Sequence, residues 1–137
     1  MDALIRRIKH AWYKEPGATL EQVRHVEEIL GFPLPEDYIQ FILWSNGGEG
    51  ELGKMYLSLW KVEDLIETSD TYLIRHYLPD CIGIGTDGGD YGYCFDYREN
   101  RQRPTLIRVD LGALDPDAID VLGQDFQSIL ELAHKGA

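Results

Sequence analysis

The residues most suited to chemistry are three carboxylates in one glycine-rich stretch. Asp87 and Asp90 flank Gly88-Gly89, and Asp96 lies a few residues further along. Carboxylates on such a turn can bind a calcium ion or share a proton. The stretch lacks the series of oxygen ligands, ending in a glutamate at the twelfth position, that defines an EF-hand. We therefore expect these aspartates to shape a turn, with a ligand-binding, metal-binding or catalytic role for Asp87, Asp90 and Asp96 as the alternative.

Acidic and aromatic residues also occur together in a pattern that suggests a surface for binding proteins. Glu49 and Glu51 flank a glycine in what we interpret as a second glycine-rich loop, and Tyr91 follows Asp90. Aromatic side chains supply much of the energy of interfaces, while carboxylates steer basic partners. Packing of the tyrosines within a sheet is the alternative. The candidates for partner binding are Glu49, Glu51, Asp87, Asp90, Tyr91 and Trp60, the last with a competing role in the core.

The cysteines and histidines form no recognisable metal or nucleophile motif. Cys81 and Cys94 lack CxxC spacing, and small buried side chains in a reducing compartment are the expected role. The four histidines are scattered and do not form HExxH, so we expect no metal site. A G-x-S-x-G sequence is also absent. We therefore expect a protein that is not an enzyme and that needs no cofactor.

A predicted β-hairpin positions the aspartates. Residues 81–86 and 91–97 alternate with a period of two and are rich in aromatic and β-branched side chains, as is typical of strands. The Asp-Gly and Gly-Gly pairs between them reach positive φ at little cost, so Gly88 or Gly89 should adopt it. The segment also contains GxGxxG, but no helical pattern follows to bind a phosphate, which excludes a nucleotide site.

Three helices are predicted in the first part of the chain. Apolar residues over positions 4–12 mark one stripe of a first helix. A capping box that starts at Thr19 begins a second helix, and Pro35 opens a third. The turn glycines Gly47 and Gly48 end the third helix.

The remaining elements mix strands with helices. Residues 55–59 alternate as a strand, residues 62–77 have helical spacing, and residues 105–111 form a third clear strand. We predict a short helical piece opened by Asp115-Pro116 and a closing helix marked by Phe126, Ile129, Leu130 and Ala133. This order predicts an α+β fold in which helices pack around an antiparallel sheet.

Length and charge limit the classes of protein. A chain of 137 residues is most simply one domain, residues 1–137. Thirteen basic and twenty-four acidic residues give a formal charge of −11, which repels nucleic acids and acidic membranes and attracts basic partners. No apolar run could span a membrane, and the N-terminus lacks the apolar stretch of a signal peptide. We expect a cytoplasmic protein that binds neither nucleic acid nor membranes, with solubility alone as the other explanation of the charge.

Several segments together resemble the SUKH superfamily. Leu34-Pro35-Glu36-Asp37-Tyr38, followed by Phe41 and Asn46-Gly47-Gly48, is similar to that superfamily's "LP.dy..fl...NGg" segment. Trp60, then Ile82-Gly83 through Asp87-Gly88-Gly89-Asp90 to Phe95-Asp96, resembles its central hairpin. Leu122-Gly123, Phe126 and Ile129-Leu130 resemble its closing helix. The resemblance covers most of the chain, from about the second helix onward.

This resemblance implies an α+β fold and, for most bacterial members, an immunity protein that binds and neutralises a polymorphic toxin, often a nuclease. Fungal relatives of the Knr/Smi type resemble signalling scaffolds in cell-wall regulation. The resemblance implies no shared catalytic machinery and transfers only structural turn residues. We therefore expect an immunity-type protein whose acidic surface binds a basic toxin. A ligand- or metal-binding protein, an enzyme and a signalling scaffold are the alternatives, and the sequence leaves the oligomeric state open.

Overall fold

The computed structural model describes residues 2–130, and its centre is one seven-stranded antiparallel sheet. Each strand pairs with the next one along the chain, so the spatial order is the sequence order. Such a sheet needs no crossing connections. The strands are β1 (Trp12–Tyr13), β2 (Gly48–Leu52), β3 (Met55–Leu59), β4 (Cys81–Thr86), β5 (Tyr91–Asp96), β6 (Thr105–Asp110) and β7 (Asp120–Gly123).

Helices precede the sheet and are inserted between its strands. They are α1 (Asp2–Ile8), α2 (Leu20–Leu30), α3 (Glu36–Trp44), α4 (Leu65–Thr71) and α5 (Ile74–Tyr77), with a 3-10 turn at Val62–Asp64. Residues 127–130 begin a closing helix, and the predicted position Ala133 lies outside the described residues. Helices packed around an antiparallel sheet confirm the predicted α+β fold. Within residues 2–130, no helix has the length and apolar character needed to cross a bilayer.

The predicted start of α2 is confirmed in detail. The Gln22 backbone N–H donates to the Thr19 hydroxyl at 3.1 Å, and the Thr19 backbone N–H donates to the Gln22 side chain at 2.9 Å. This reciprocal capping box satisfies donors that a helix N-terminus otherwise leaves open. Gly31 ends α2 in the left-handed conformation, with φ of 83°.

The predicted hairpin of β4 and β5 is also confirmed. The strands pair antiparallel from Cys81 opposite Asp96 to Thr86 opposite Gly92, and Gly88 has φ of +84°. Their register assigns side chains to faces, because directly paired residues in a sheet point to the same side. Tyr93 therefore lies on one face of the sheet, the first face, together with Phe95 and Tyr97.

The two faces of the sheet support cores of different size. On the first face, residues of α1, α2 and α3 pack against the strands in one large cluster, in which Tyr38 contacts Phe95 and Phe126 edge to face. The second face has a smaller cluster over β4, β5 and β6. Its buried members are Ile74, Leu78, Cys81, Cys94, Ile107 and Val109.

Asp37 joins the closing helix to the rest of the fold. One of its carboxylate oxygens accepts the backbone N–H of Gln127 at 2.8 Å, and the other accepts that of Tyr38, also at 2.8 Å. Asp125 accepts from Ser128 in the same turn at 3.2 Å. Two aspartates from distant parts of the chain therefore satisfy donors where the closing helix begins.

The predicted extent of the first helix is wrong at its C-terminal end. The helix ends at Ile8, and Trp12 lies in β1, where it pairs with Gly50. The indole N–H of Trp12 donates to the Ser45 hydroxyl at 3.2 Å, and its ring packs edge to face on Phe41 at 5.6 Å. Burial of the ring against α3 and pairing with β2 outweigh the helical spacing in this segment.

The predicted loop at Glu49 and Glu51 is also wrong, because both residues lie in β2, which pairs with β1 and β3. The intervening Gly50 explains the misinterpretation. A Cβ atom at Gly50 would lie 2.2 Å from the Ala11 carbonyl oxygen, so the glycine allows the chain around β1 to approach closely. Glycine marks a close contact between backbones at this point and not a loop.

The predicted helix over residues 62–77 is broken into three pieces. Leu73 adopts the left-handed conformation, with φ of 62°, between α4 and α5. This bend allows Ile74 and Leu78 to be buried in the second-face cluster. Leu73 and Tyr77, two apolar positions of the predicted helical spacing, are exposed.

The short helix predicted at Asp115-Pro116 is absent from the described chain. Asp115 accepts the backbone N–H of Asp117 at 2.9 Å, which makes an Asx turn from the same side chain that suggested a helix cap. The chain then forms β7, where Asp120 pairs with Arg108 through an ion pair of 2.9 Å. Pairing with β6 therefore replaces helix formation.

Candidate partner-binding surface

The second face of the sheet is uncovered over β1, β2 and β3. Register places Tyr13 opposite Glu49, and Glu51 opposite Tyr56, so these four side chains share that face. Tyr13 is 79% exposed. We call this surface, made of Tyr13, Glu49, Glu51 and Tyr56, the open face. Together with Ala11 and Gly50 its residues line a depression of about 480 Å³.

Tyr56 connects the open face to the β4–β5 turn. Its hydroxyl donates a short hydrogen bond to a carboxylate oxygen of Glu49. Its ring lies against Gly88, where an added Cβ atom would be 2.7 Å from the ring carbon Cδ1. The hydrogen bond to Glu49, together with the nearby charge of Glu51, raises the pKa of Tyr56 and keeps its hydroxyl a donor. The two acidic segments singled out in the sequence are thus neighbours.

The β4–β5 turn is organised by its own side chains. The carboxylate of Asp87 accepts the backbone N–H groups of Gly89 at 2.9 Å and Tyr91 at 3.3 Å. The Thr86 hydroxyl accepts the N–H of Gly88 at 3.1 Å. Asp87 therefore has the turn-forming role that we expected, while Asp90 is exposed at the tip.

The three aspartates of the hairpin do not converge. Asp96 lies at the opposite end of β5 from the turn, opposite Cys81, and pairs with Arg98 at 2.8 Å. Burial alone would raise the pKa of Asp96, but the hydrogen bonds from Arg98 outweigh burial and lower it. Within residues 2–130, no group of three or more His, Cys, Asp or Glu side chains is arranged to hold a metal ion.

Tyr91 points to the other side of the sheet from the open face. It pairs with Asp110 in the same register that places Tyr93 on the first face. Its ring lies 5.2 Å from the guanidinium of Arg108, which also contacts Asp120. Tyr91 is 41% exposed and belongs to a different surface from Glu49 and Glu51.

Trp60 lies at the seam where β3 and β4 separate. Its ring is partly buried and stacks on Tyr72 at 5.8 Å, with the two rings nearly parallel. A Cβ atom at Gly83 would be 2.8 Å from the Trp60 ring. Beyond the point where β3 separates from β4, the buried Ser69 hydroxyl accepts the N–H of Gly83 at 3.0 Å. Trp60 therefore packs within the fold at this seam.

The buried thiols are not reactive groups. Cys81 and Cys94 are both free and buried on the second face. Burial raises the pKa of the Cys94 thiol to about 12 and also raises that of Cys81. A nucleophilic cysteine needs a lowered thiol pKa and exposure, so these residues fit the expected role as small apolar side chains.

Sequence reasoning missed Tyr13 and Tyr56, although a signal for Tyr56 was present. In β3, Tyr56 and Ser58 alternate with the buried Leu57 and Leu59, which marks a strand with one open face. Tyr13 gave no such signal, because a strand of two residues has no visible period.

A second concave surface was also missed. The helices α2 and α4, with the 3-10 turn, enclose a groove of about 680 Å³. It is lined by Gln22, His25, Val26, Ile29, Glu63, Ile66, Glu67, Asp70 and Thr71. The signal in the sequence was the apolar residue Ile29 in α2, and the structure leaves 55% of its surface exposed.

These features define a small α+β protein with a sequential antiparallel sheet. Residues 17–132 match the SMI1/KNR4 family (SUKH-1), and the chain therefore belongs to that family. This match confirms the resemblance seen in the sequence. No curated protein gives a significant match to the chain.

Proposed function

We propose that this chain is an immunity-type protein that neutralises a basic toxin, most simply a nuclease, by binding it directly through the open face and the adjoining β4–β5 turn. The observation that carries the proposal is the junction at Tyr56. There one side chain binds Glu49 and packs on Gly88, which brings Glu49 and Glu51 next to the turn that contains Asp87 and Asp90. Membership of the SUKH-1 family is consistent with this role.

The charges at this junction are available to a partner. Among the ion pairs of residues 2–130, none includes Glu49, Glu51 or an aspartate of the β4–β5 turn. Unpaired surface carboxylates, in a chain with a net charge of −11, attract a basic protein and raise its association rate. In a nuclease cleft they would occupy the positions of substrate phosphates and block the substrate by competition.

Affinity would depend on aromatic anchors beside these charges. Tyr13 is largely exposed and Tyr56 is half-buried, and both flank the carboxylates of the open face. Tyrosine buries a large area and loses little conformational entropy on binding, so it is enriched among residues that dominate interfaces. We expect Tyr13→Ala to speed dissociation of the complex more than Tyr91→Ala does, because Tyr91 lies on another surface.

The test begins with the reading frame beside the gene for this chain, which should encode a toxin domain with a basic surface. That domain, purified, is the probe, and its association rate with this chain is measured by stopped-flow fluorescence over a range of salt concentrations. Glu49→Lys combined with Asp90→Lys should slow association roughly tenfold or more at low salt. The melting temperature should change little, since both side chains are exposed.

A matched control carries the same change of net charge elsewhere. Glu28 in α2 and Glu99 after β5 are exposed, so Glu28→Lys with Glu99→Lys should slow association much less. Equal slowing by both double variants would mean that only the total charge matters. An association rate indifferent to salt, or a neighbouring frame that encodes only an acidic or neutral partner, would contradict the proposal.

We also propose that the protein acts in the cytoplasm and has no catalytic activity of its own. The absence of catalytic activity is supported by the buried thiols, whose pKa is raised, and by Asp87, whose carboxylate accepts hydrogen bonds from backbone N–H groups. A panel of nuclease, phosphatase and hydrolase substrates tests the second statement. Turnover that Asp87→Asn or Asp90→Asn abolishes would refute it.

A further inference from the structure

The groove between α2 and α4 is lined by side chains at regular helical spacings, and packing of the fold does not require this regularity. Along α2, Gln22, His25, Val26 and Ile29 line it at spacings of three and four residues. Along the facing wall, Glu63, Ile66, Glu67 and Asp70 repeat the same spacing. The α2 series follows one helical face for two turns, about 10 Å, and the other series runs from the 3-10 turn along α4.

The floor of the groove is apolar and its rim is acidic. Val26 is buried and Ile66 is partly buried, while Ile29 exposes 55% of its surface at the floor. The wall formed by the 3-10 turn and α4 carries Glu63 and Glu67. The groove therefore combines an apolar floor with an acidic wall in one concave surface.

The carboxylates of this wall are not paired with a basic side chain among residues 2–130, apart from Asp70. Glu63 accepts hydrogen bonds from two neutral amides, Gln22 at 3.1 Å and Asn46 at 2.6 Å, which position it without neutralising it. Neither Glu63 nor Glu67 takes part in an ion pair among residues 2–130. Only Asp70, at the end of the groove, pairs with an arginine, Arg75 at 2.8 Å. The rim therefore presents unneutralised negative charge above an apolar floor.

We propose that this groove binds a basic amphipathic helix of a partner protein. The apolar floor fits one stripe of side chains at spacings of three and four residues, and the acidic wall of Glu63 and Glu67 complements lysine or arginine on one side of that stripe. The groove shares no residue with the open face, so it is a second and separate binding surface that does not depend on the proposed toxin site. Its volume is also within the range of small-ligand sites, and the test distinguishes that occupant.

The probe is a fluorescein-labelled amphipathic peptide with leucines spaced three and four residues apart and lysine or arginine at the other positions. Its binding is measured by fluorescence anisotropy, and the contacted residues are mapped by chemical-shift changes in the isotope-labelled protein. We expect saturable binding, with the largest shifts at His25, Ile29 and Glu67. A peptide with the same leucines but glutamate at the charged positions should not bind.

Two variants with matched controls locate the contact. Ile29→Asp should weaken peptide binding roughly tenfold or more, while Leu20→Asp, at another exposed apolar position of α2, should not. Glu67→Lys should weaken binding severalfold, and Glu28→Lys, an equal charge change outside the groove, should have little effect. All four residues are exposed, so the melting temperatures should confirm that each variant folds.

Each remaining outcome would overturn the proposal. These outcomes are no binding at roughly 1 mM peptide, largest shifts on the open face, and equal binding by Ile29→Asp and Leu20→Asp. A dimer seen in analytical ultracentrifugation and abolished by Ile29→Asp would assign the groove to a second copy of the chain. Binding of a neutral small molecule from a fragment screen, with no peptide binding, would assign it to a small ligand.

Discussion

The second face of the sheet differs between its two halves. Over β4, β5 and β6 it is covered by Ile74, Leu78 and the chain after β6, and Cys94 and Ile107 are fully buried there. Over β1, β2 and β3 the same face exposes Tyr13 and two glutamates. One continuous hydrogen-bonded sheet therefore serves as a core on one side of the β3–β4 seam and as a surface on the other.

The amino-acid composition of the strands reflects this difference in burial between the two halves. The first five residues of β4 are all buried, and small residues such as Gly83 alternate with isoleucines, because helices and rings press on both faces. In β3, by contrast, Leu57 is buried while its neighbours Tyr56 and Ser58 are only partly so. A strand buried on both faces reads as continuously apolar or small, and a strand buried on one face alternates. The pattern of a strand thus indicates where the sheet is free for binding.

The largest expected effect compares one position from each half. Ile107→Ala on the covered second face should lower the free energy of unfolding by about 2–5 kcal/mol, since it removes fully buried methyl groups and leaves a cavity. Tyr56→Ala on the open face should cost much less, because it removes a solvent-accessible hydrogen bond to Glu49 and the contact with Gly88 and leaves no internal cavity. Urea denaturation of both variants gives the comparison.

Equal losses in the two variants would break the distinction between the halves. Such a result would mean that the open face is covered in solution. The matching control is Ser58→Ala, a neighbour of Tyr56 on the same face, which should change stability little.

Much of the covered half could be predicted from the sequence, and less of the open half. The hairpin of β4 and β5 follows from local rules, since strand alternation and Asp-Gly turns act over a few residues. β1 and β2 do not follow from local rules. Trp12 and Glu49 lie in strands because β1 and β2 pair with each other. Pairing between distant segments, and the close approach at Gly50, leave no periodic signal in a short stretch.

The candidate site was predictable in its parts but not in its arrangement. Glu49, Asp87 and Asp90 were singled out as acidic residues beside glycines, and the fold places them near one another through Tyr56. Tyr91 was grouped with them because it is adjacent in sequence, although strand register turns it to the other face. Register is fixed by the whole sheet, and a shift of one residue reverses the face of every side chain.

A smaller effect is expected at the turn where the two halves meet. Gly88→Val should lower the free energy of unfolding by ~1–3 kcal/mol, because φ of +84° strains a β-branched residue and its side chain would collide with the Tyr56 ring. Gly89→Val should cost less than about 1 kcal/mol, since Gly89 does not have positive φ and a Cβ atom there would meet only Asp87, at 3.5 Å.

This pair of valine variants is measured by thermal and urea unfolding. Both variants melting like the parent protein would show that the turn does not adopt this conformation in solution. A larger loss for Gly89→Val than for Gly88→Val would exchange the roles of the two glycines. In the expected case, Gly88→Val should also weaken binding of the proposed toxin partner if Tyr56 shifts, which links the stability of the turn to the open face.

The smallest expected effect concerns pH and the far end of the covered half. Hydrogen bonds from Arg98 hold the pKa of Asp96 below its ordinary value, despite the opposing effect of burial. Because the folded pKa is the lower one, ionised Asp96 stabilises the fold at pH values above its unfolded pKa, near 3.9. That contribution is lost as the pH falls through the folded pKa. Since Arg98 is partly exposed, solvent screening limits the effect to roughly 1 kcal/mol or less.

Asp96→Asn should therefore lower stability slightly at pH 7 and make unfolding less sensitive to acid below about pH 4. Urea midpoints measured across this range for the parent and the variant test the expectation. Glu99→Gln, at an exposed acidic position outside the ion pairs of residues 2–130, is the control and should follow the parent curve. Parallel curves for Asp96→Asn and the parent would show that the Arg98 pair contributes nothing. Reduced acid sensitivity of Asp96→Asn would mean that the carboxylates at the two ends of this hairpin have different roles. Asp96 would stabilise the fold through Arg98, whereas Asp90 is exposed to solvent.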